Sequence, residues 1–356
     1  MIDSTKTARL AIWALTPRGA ELAGKITGIL PNADLYLSQK CGNREKDCLF
    51  FLRLMDTVAE KFSGYDGHIF IMSTGIVIRV LAPLILHKTI DPAVVVMDEV
   101  GRHVISLLAG HIGGANQLTK QLAAMIQADP VITTATDINQ VPAIDVLAAK
   151  RHLTIENPTA IRNVSMALLK GEKIFLHDPY NLMIDALPRK SLVTGRQKVS
   201  GVDFDPPGVF IDDIVVGLPP RVLVLRPGTL VAGIGCNRNT PMPEMRNLLL
   251  KTLKKNKLSI NSLTCIASVN IKKDEKGLLA LGKLLKLPIL FFERKELGHV
   301  INIQNPSAMV EKHIGVKSVC EAAAILAAQN GELAVPKQTS PNVTVAIARK
   351  TFTSSV

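Results

Sequence analysis

Four short clusters carry most of the side chains in this sequence that could do acid–base chemistry or bind an anion. Each cluster combines small residues with hydroxyl, carboxylate, imidazole or amide groups. The clusters are Ser73-Thr74-Gly75, Asp98-Glu99, Gly110-His111-Ile112-Gly113-Gly114-Ala115-Asn116 and Thr133-Thr134-Ala135-Thr136-Asp137. Carboxylates and imidazoles move protons in general acid–base catalysis, and glycines before a helix let backbone N–H groups approach an anion. The residue types therefore indicate proton transfer beside an anionic ligand.

Glu99, His111 and Asp137 are the candidate catalytic residues, because each is ionisable and lies near glycines or hydroxyls. The adjacent carboxylates of Asp98 and Glu99 repel each other, which raises one pKa and suits acid–base work. Two plainer alternatives stay open at this point. The carboxylates could belong to a surface turn, and His111 could simply bond a backbone carbonyl. The neighbouring residues predicted to bind substrate are Ser73, Thr74, Gly75, Gly113, Gly114, Asn116, Thr134 and Thr136.

Each of the four clusters follows a short apolar run of the kind that forms a buried strand. The runs are residues 68–72, 93–97, 104–108 and 131–132. In open α/β sheets, ligands bind beyond the carboxyl ends of the strands. The four clusters are therefore predicted to form one site.

Strand and helix patterns alternate along the chain, which predicts an α/β fold. Thr16 and Pro17 predict a helix start, because threonine is a good N-cap and proline suits the first helical position. Further helices are predicted over residues 116–127 and, with an amphipathic pattern, over residues 48–62. The predicted architecture is two three-layer αβα domains with mostly parallel or mixed sheets, residues 1–140 and 230–356. A small α/β middle module, residues 141–229, joins them.

The last third restarts with a strand that ends in Gly233-Ile234-Gly235-Cys236. Gly233 and Gly235 are candidate substrate contacts, although the third glycine of a dinucleotide-binding fingerprint is missing. Cys236 is a further candidate, because a helix N-terminus lowers the pKa of a thiol. A small core residue is the more common role for such a cysteine.

The net charge of +12 lies almost entirely in the last third, where residues 231–356 hold eighteen basic and eight acidic side chains. A basic domain next to a neutral one favours an anionic ligand, because its field raises the local ligand concentration. Arg79, Arg102 and Arg238 are the candidate carboxylate clamps, since arginine can bind a carboxylate through two parallel hydrogen bonds.

The rest of the composition argues against several classes of protein. Aromatic residues make up 4% and do not alternate with basic ones, which argues against a nucleic-acid binder. Apolar runs stop short of the roughly 18 residues that a membrane span needs. The five cysteines form no C-x-x-C pair, which favours a reducing cytoplasm. The G-x-S-x-G, P-loop and H-E-x-x-H motifs are absent, and no cysteine–histidine spacing indicates a tightly held metal.

The clusters named above, with residues 91–99, 106–116 and 131–137, closely resemble the cobalt-precorrin-5A hydrolase (CbiG) family. Gly233-Ile234-Gly235-Cys236-Asn237-Arg238-Asn239-Thr240 and the tail 331–348 resemble it too. The resemblance covers most of the chain from about residue 50, in the family's three-part order.

The resemblance implies an enzyme of the anaerobic, early-cobalt branch of cobalamin (vitamin B12) biosynthesis. Its substrate is a corrinoid with a δ-lactone between the ring-A acetate and the former meso carbon C20. The enzyme opens this lactone, and C20 leaves with its methyl group as acetaldehyde. The cobalt belongs to the substrate, so no cofactor is expected. Glu99 or His111 would activate water, glycine N–H groups would stabilise the oxyanion, and Asp137 would assist carbon–carbon cleavage.

The resemblance also bears on partners. The substrate is a polycarboxylate, which fits the basic last third, and transient contact with the methyltransferases of the pathway is expected. Nucleic acid and membrane partners are not expected, and the sequence does not fix the oligomeric state. The rival hypothesis is a non-catalytic carrier that holds a labile corrinoid intermediate, since the same pocket and charge would serve it. Catalytic turnover separates the two.

Overall fold

The computed structural model describes residues 8–41, 48–87, 90–193, 207–306 and 315–351. Contacts between residues divide the chain into two compact units, residues 1–150 and 151–356. The predicted boundaries at residues 140 and 229 follow sequence composition instead, and the three-part division stays a prediction.

The first unit is built on a seven-stranded sheet in the order β3-β2-β1-β4-β5-β6-β7, within the part of the chain that the structure describes. Its strands are β1 (Leu10–Ala14), β2 (Ala33–Ser38), β3 (Cys48–Phe51), β4 (Gly67–Ile71), β5 (Ala93–Met97), β6 (His103–Leu108) and β7 (Asp129–Val131). Strands β1 to β5 are parallel to one another. Strand β6 is antiparallel to β5, and β7 is parallel to β6.

Helices cover both faces of this sheet, as the three-layer prediction requires. They are α1 (Pro17–Ile29), α2 (Leu54–Lys61), α3 (Thr74–Leu81), α4 (Ala115–Ile126), α5 (Ala135–Ile138) and α6 (Ile144–Lys150). Because successive side chains of a strand point to opposite faces, Ile12 packs with the core residues of α1 and α4. Its neighbour Trp13 packs with those of α2 and α3. The predicted start of α1 is confirmed, since the Thr16 hydroxyl accepts from the Gly19 N–H at 3.1 Å.

The direction of β6 contradicts the prediction that all four clusters share one edge of the sheet. Only five residues connect Met97 to His103, whereas a parallel crossover needs about a dozen or more. The chain therefore turns back as a hairpin, with Met97 opposite Val104 and Val94 opposite Leu108. The carboxyl ends of β6 and β7 consequently lie at the edge opposite to those of β4 and β5.

The predicted helix over residues 48–62 is also wrong in its first part. Residues 48–51 form β3, which pairs in parallel with β2, and the helix begins only at Leu54. Apolar and aromatic residues such as Leu49 and Phe50 fit a sheet edge well, which overrides the helical spacing. The predicted helix after Gly113 and Gly114 is confirmed as α4.

The second unit holds two further sheets among its described residues. Strands β8 (Thr154–Ile155), β9 (Phe175–His177), β10 (Gly208–Ile211) and β11 (Val222–Arg226) form a four-stranded sheet in the order β8-β11-β10-β9. Strands β12 (Leu230–Cys236), β13 (Leu263–Val269), β14 (Ile289–Phe292), β15 (Glu332–Thr339) and β16 (Val343–Arg349) form a five-stranded sheet in the order β14-β13-β12-β16-β15.

Helices α7 (Ile161–Leu169), α8 (Met242–Lys255), α9 (Lys276–Leu285), α10 (Arg294–Gly298) and α11 (Val319–Ala327) complete this unit. Helices α8 and α9 pack on one face of the five-stranded sheet, and α11 packs on the other. Both units are thus mixed α/β structures, as predicted. Among the described helices, none is both long and apolar enough to span a bilayer.

A buried ion pair joins the two sheets of the second unit. Asp213 is fully buried and accepts two hydrogen bonds from the Arg349 guanidinium, at 2.8 and 2.9 Å. The hydroxyls of Thr229 and Tyr180 also donate to Asp213, at 2.7 and 3.0 Å. Burial alone would raise the pKa of Asp213, but these partners outweigh it and lower that pKa. The pair is fully occupied within the protein and is a structural link.

Candidate active site

The hairpin of β5 and β6 divides the sequence clusters between two edges of the first sheet. Ser73, Thr74, Gly75 and Glu99 lie at the carboxyl ends of β4 and β5, which we call the Glu99 edge. The other two clusters lie beyond β6 and β7, at the opposite edge. The ladder from Val94 to Met97 alone separates the edges by roughly 10 Å. Glu99 and His111 therefore do not share one reaction centre within this unit.

At the Glu99 edge, a cleft of about 620 Å³ is lined by Thr16, Ser73, Thr74, Glu99 and His103, among others. Glu99 is exposed and accepts a hydrogen bond from the Thr16 hydroxyl at 2.6 Å. This contact orients the carboxylate into the cleft without burying it.

Asp98 closes the turn between β5 and β6. It accepts backbone hydrogen bonds from His103 at 2.7 Å, Val100 at 3.0 Å and Arg102 at 3.2 Å. Burial alone would raise the pKa of Asp98, but these bonds outweigh it and lower the pKa. The surface-turn alternative is therefore correct for Asp98.

The two arginines at this edge, Arg79 and Arg102, are both exposed, and their role as carboxylate clamps stays a prediction. The Arg79 guanidinium is exposed and donates to the Gly75 carbonyl of its own helix, α3, at 3.0 Å. Arg102 is exposed too, and its backbone N–H holds the Asp98 turn.

The opposite edge brings together a dense set of polar groups, which we call the His111 cluster. Its members come from β6, the loop after it, α4, the start of α5 and α6. They are Ser106, His111, Asn116, Lys120, Thr134, Thr136, Asp137 and Asp145. The structure thus places five of the predicted site residues, His111, Asn116, Thr134, Thr136 and Asp137, in one contiguous network.

Asn116 is the hub of the His111 cluster. It is 6% exposed, and its Oδ1 accepts from the Ser106 hydroxyl at 2.6 Å. Its Nδ2 donates to Thr134 Oγ1 at 3.0 Å and to Asp137 Oδ2 at 2.8 Å. One amide therefore fixes β6, the strand end after β7 and the start of α5 relative to one another.

His111 lies between two carboxylates. Its Nε2 is 3.0 Å from Thr136 Oγ1 and 3.5 Å from Asp137 Oδ2. Its Nδ1 is 3.7 Å from Asp145 Oδ2. The nearby Asp145 carboxylate is the main cause that raises the pKa of His111, and Asp137 adds to it against the effect of burial. The alternative of a histidine bonded only to a backbone carbonyl is wrong.

Both carboxylates of the cluster are held in the ionised form. Burial alone would raise the pKa of Asp145, but His111 and the Val146 N–H outweigh it and lower the pKa. Burial opposes the shift of Asp137 in the same way, and there Lys120 is the main partner that lowers the pKa. The Lys120 ammonium donates to Asp137 Oδ1 at 2.8 Å. The cluster can therefore hold and transfer a proton at His111.

Two glycines shape the loop that carries His111. A Cβ on Gly110 would come within 2.6 Å of Asn116 Oδ1, so a side chain there would displace the hub. Gly114 has φ +89°, a left-handed conformation that favours glycine. One of the two glycine N–H groups predicted to bind an anion, that of Gly114, is already used in this loop. The N–H of Gly114 donates to the His111 carbonyl at 3.0 Å, and that of Asn116 donates to the Gly110 carbonyl at 3.0 Å.

A second cleft, of about 610 Å³, reaches the same loop. Ile112 and Gly113 line one side of it, and Phe62, Tyr65 and Asp91 are among the residues that line the rest. Gly113 thus borders this cleft two positions after His111 in the chain, and its contact with substrate stays a prediction. The wall combines apolar side chains such as Phe62 with polar ones such as Ser63 and Asp66.

The predicted residues of the last third lie in the second unit, at the carboxyl end of β12. A Cβ on Gly233 would meet the Cys320 carbonyl oxygen of α11 at 1.9 Å, so this glycine serves helix packing. Gly235 accepts a hydrogen bond from the Thr344 hydroxyl at 3.4 Å. Burial raises the pKa of Cys236 to about 11. The less favoured alternative of a thiol with a lowered pKa is therefore wrong, and Cys236 is a half-buried thiol.

Arg238 is already paired in the second unit. Its guanidinium donates to Asp274 Oδ1 at 2.5 Å and to the Ile271 carbonyl at 2.8 Å. More than half of the side chain is exposed, so a carboxylate of a ligand would compete with Asp274 in water. Among the residues that the structure describes, no group of three or more His, Cys, Asp or Glu side chains is arranged to hold a metal ion.

Sequence reasoning missed Ser106, Lys120 and above all Asp145. Asp145 lies 34 positions after His111 and follows no glycine or strand end. Its only local signal is a place in the first turn of a helix, which many structural aspartates share. Only the fold brings it to the imidazole.

The chain matches three sequence models that together describe one family. The "Cobalamin synthesis G N-terminal" model matches residues 56–137, "Cobalamin biosynthesis central region" matches 142–227, and "Cobalamin synthesis G C-terminus" matches 230–348.

Two relatives are similar over nearly their whole length. A cobalt-precorrin-5A hydrolase of Salmonella typhimurium is 37% identical, covering 92% of this chain and 94% of that protein. A cobalt-precorrin-5A hydrolase of Priestia megaterium is 31% identical, covering 97% and 96%. A solved structure of a cobalamin biosynthesis protein G homologue from Sulfolobus solfataricus is 22% identical, with a TM-score of 0.35, and covers 96% and 97% of the two chains.

Proposed function

The chain belongs to the CbiG family of cobalamin biosynthesis, and we propose from this that it is a cobalt-precorrin-5A hydrolase. One observation supports this above all: 37% identity to a cobalt-precorrin-5A hydrolase over 92% of this chain and 94% of the relative. The three family segments also follow one another in order along the chain. The substrate is accordingly a corrinoid, and its cobalt ion is part of the substrate.

The reaction consumes one water and breaks two bonds of the substrate. Water adds to the acyl carbon of the lactone, and the bond between that carbon and the C20 oxygen breaks to free the ring-A acetate. The C20 hydroxyl then loses its proton as the bond from C20 to the corrinoid breaks. Acetaldehyde leaves, and the electron pair of that bond passes to the corrinoid ring, which takes up a proton.

Within this proposal the His111 cluster is the centre of proton transfer. Groups from several elements hold His111 in place, and it is partly exposed, with 23% of its side chain open to solvent. Thr136 contacts the imidazole and Asn116 donates to Asp137, so the imidazole and this carboxylate are held beside each other. The cleft beside Gly113 gives a ligand access to the same loop.

Two further points belong to the proposal. None of the five cysteines, all of them among the described residues, forms a disulfide, which supports a location in the reducing cytoplasm. Labile corrinoid intermediates would pass between this enzyme and the methyltransferases of the pathway by transient contact.

The test is anaerobic incubation of the purified protein with cobalt-precorrin-5A, with acetaldehyde measured over many equivalents. We expect sustained release from the wild type and a loss of about 100-fold or more in His111→Gln, since general acid–base groups contribute about that much. Tight binding with no acetaldehyde would identify a carrier instead. Glu99→Gln is the matched variant at the other edge. Loss of turnover in Glu99→Gln but not in His111→Gln would place the reaction centre at the Glu99 edge instead.

A further inference from the structure

The two ring nitrogens of His111 both face carboxylate oxygens. Asp137 Oδ2 and the Thr136 hydroxyl lie next to Nε2, and Asp145 Oδ2 lies next to Nδ1. A neutral imidazole has one N–H donor and one lone pair, whereas the imidazolium has two donors. With a proton on Nε2 alone, the Nδ1 lone pair would face ionised Asp145. With a proton on Nδ1 alone, the Nε2 lone pair could accept from the Thr136 hydroxyl but would lie 3.5 Å from ionised Asp137. Only the doubly protonated ring presents an N–H towards both carboxylates.

The charges of the cluster balance only in that form. Asp137 and Asp145 supply two negative charges, and Lys120, which pairs with Asp137 at 2.8 Å, supplies one positive charge. An imidazolium at His111 makes the cluster neutral, while a neutral ring leaves an uncompensated negative charge in a half-buried place. Such a charge is costly unless it is paired.

Asp145 is the carboxylate that His111 does not share with another side chain. Asp137 also accepts hydrogen bonds from Lys120 and Asn116, so its charge is partly neutralised without His111. The Asp145 side chain is 12% exposed, and its Oδ1 is taken up by the Val146 N–H at 3.0 Å. The remaining oxygen, Oδ2, faces Nδ1 of His111. Helix α6 thus presents a single charge to one nitrogen of the ring.

We propose that Asp145 is a positioning residue that holds His111 as an imidazolium, so that His111 delivers a proton in the lactone-opening step. When the bond from the acyl carbon to the C20 oxygen breaks, the electron pair stays on that oxygen and the Nε2 proton of His111 moves to it. The proton of the attacking water goes to solvent, and solvent later restores the proton on His111. This assignment rests on the proposed function and replaces the role of general base predicted from the sequence.

The inference has a definite pH dependence. The groups that face His111 are Asp137 of α5 and Asp145 of α6, with Lys120 of α4 behind Asp137. Because these carboxylates raise the pKa of His111 above its unfolded value, the imidazolium persists to higher pH in the folded protein. Its stabilising contribution is full below the unfolded pKa of about 6.5 and is lost as pH rises through the folded pKa. Turnover should fall over the same range of rising pH, which is the alkaline limb of its pH profile.

The first experiment measures the His111 titration without substrate, from the imidazole Cε1–H resonance by NMR, with the resonance assigned by its loss in His111→Gln. We expect Asp145→Asn to move the His111 titration to lower pH and Asp145→Glu to restore it at least in part. Asp56→Asn is the matched control. It removes a carboxylate from the same unit, on an exposed pair with Arg53, and should leave the His111 titration unchanged.

The second experiment records acetaldehyde release against pH for the same variants. We expect Asp145→Asn to lose more activity at pH 8 than at pH 6, because the alkaline limb moves to lower pH. An unchanged His111 titration in folded Asp145→Asn would overturn the inference, and so would turnover that increases as His111 loses its proton. If the wild type releases no acetaldehyde, the proposed function fails, while the NMR titration still decides whether Asp145 holds the imidazolium.

Discussion

The hub position of Asn116 leads to a sharp prediction about stability. Asn116→Ala removes three hydrogen bonds in a place that is 6% exposed, and leaves Ser106, Thr134 and Asp137 without this partner. A neutral hydrogen bond contributes about 1 kcal/mol net and one to a charged group about 2 kcal/mol. The three together are worth about 4 kcal/mol. Water can reach Asp137, whose side chain is 22% exposed, so we expect a loss of about 3 kcal/mol.

The protein offers a local probe for this measurement. Its single tryptophan, Trp13, is fully buried in β1 of the same sheet and stacks on Tyr36 at a centroid distance of 4.1 Å. Its fluorescence therefore reports unfolding of the first unit. Urea titrations of the wild type and Asn116→Ala give the difference in the free energy of unfolding.

The matched control is Asn139→Ala. Asn139 is exposed and makes one side-chain bond, to the Ala135 carbonyl at 2.8 Å, so we expect a loss of under about 1 kcal/mol. A loss of less than about 1 kcal/mol in Asn116→Ala as well would refute the hub reasoning. In the Asn116→Ala protein that stays folded, acetaldehyde release should fall too, because Asp137 is no longer held beside His111.

Two further predictions concern the second unit. Gly233→Ala should abolish soluble expression or cost several kcal/mol, because its Cβ would lie 1.9 Å from the Cys320 carbonyl oxygen. Gly28→Ala is the control, since nothing lies within 4 Å of its Cβ. Iodoacetamide should label Cys236 far more slowly in the native protein than in the urea-unfolded protein at pH 8, because burial raises its pKa to about 11. Equal labelling rates would show that the thiol is not shielded.

Much of the fold was predictable because local signals and tertiary structure agree. Thr16 and Pro17 fix the start of α1, and the apolar run of β5 has the predicted bounds of residues 93–97. The glycines before α4 marked the loop that carries His111. Each of these features depends on residues that are close together in the sequence, so the sequence alone is enough to predict it.

The division of the site into two edges was harder to predict, although the sequence holds its cause. The nearly continuous apolar run over residues 104–108 resembles a buried parallel strand, although β6 is antiparallel to β5. Only the five-residue connection between Met97 and His103 distinguishes the two directions, because it is too short for a crossover helix. Asp145 could not be predicted at all, since its contact with His111 depends on where α6 packs.

The hairpin of β5 and β6 also affects how the free-energy effects of substitutions at the two edges combine. Substitutions more than about 7–10 Å apart that share no partners usually have additive effects on free energy. The ladder between the two edges is roughly that long, so changes at Glu99 and at Asn116 should act independently. Changes within the His111 cluster share hydrogen bonds and should couple strongly. The sheet therefore separates the two polar edges energetically. A substitution at one edge needs no compensating substitution at the other.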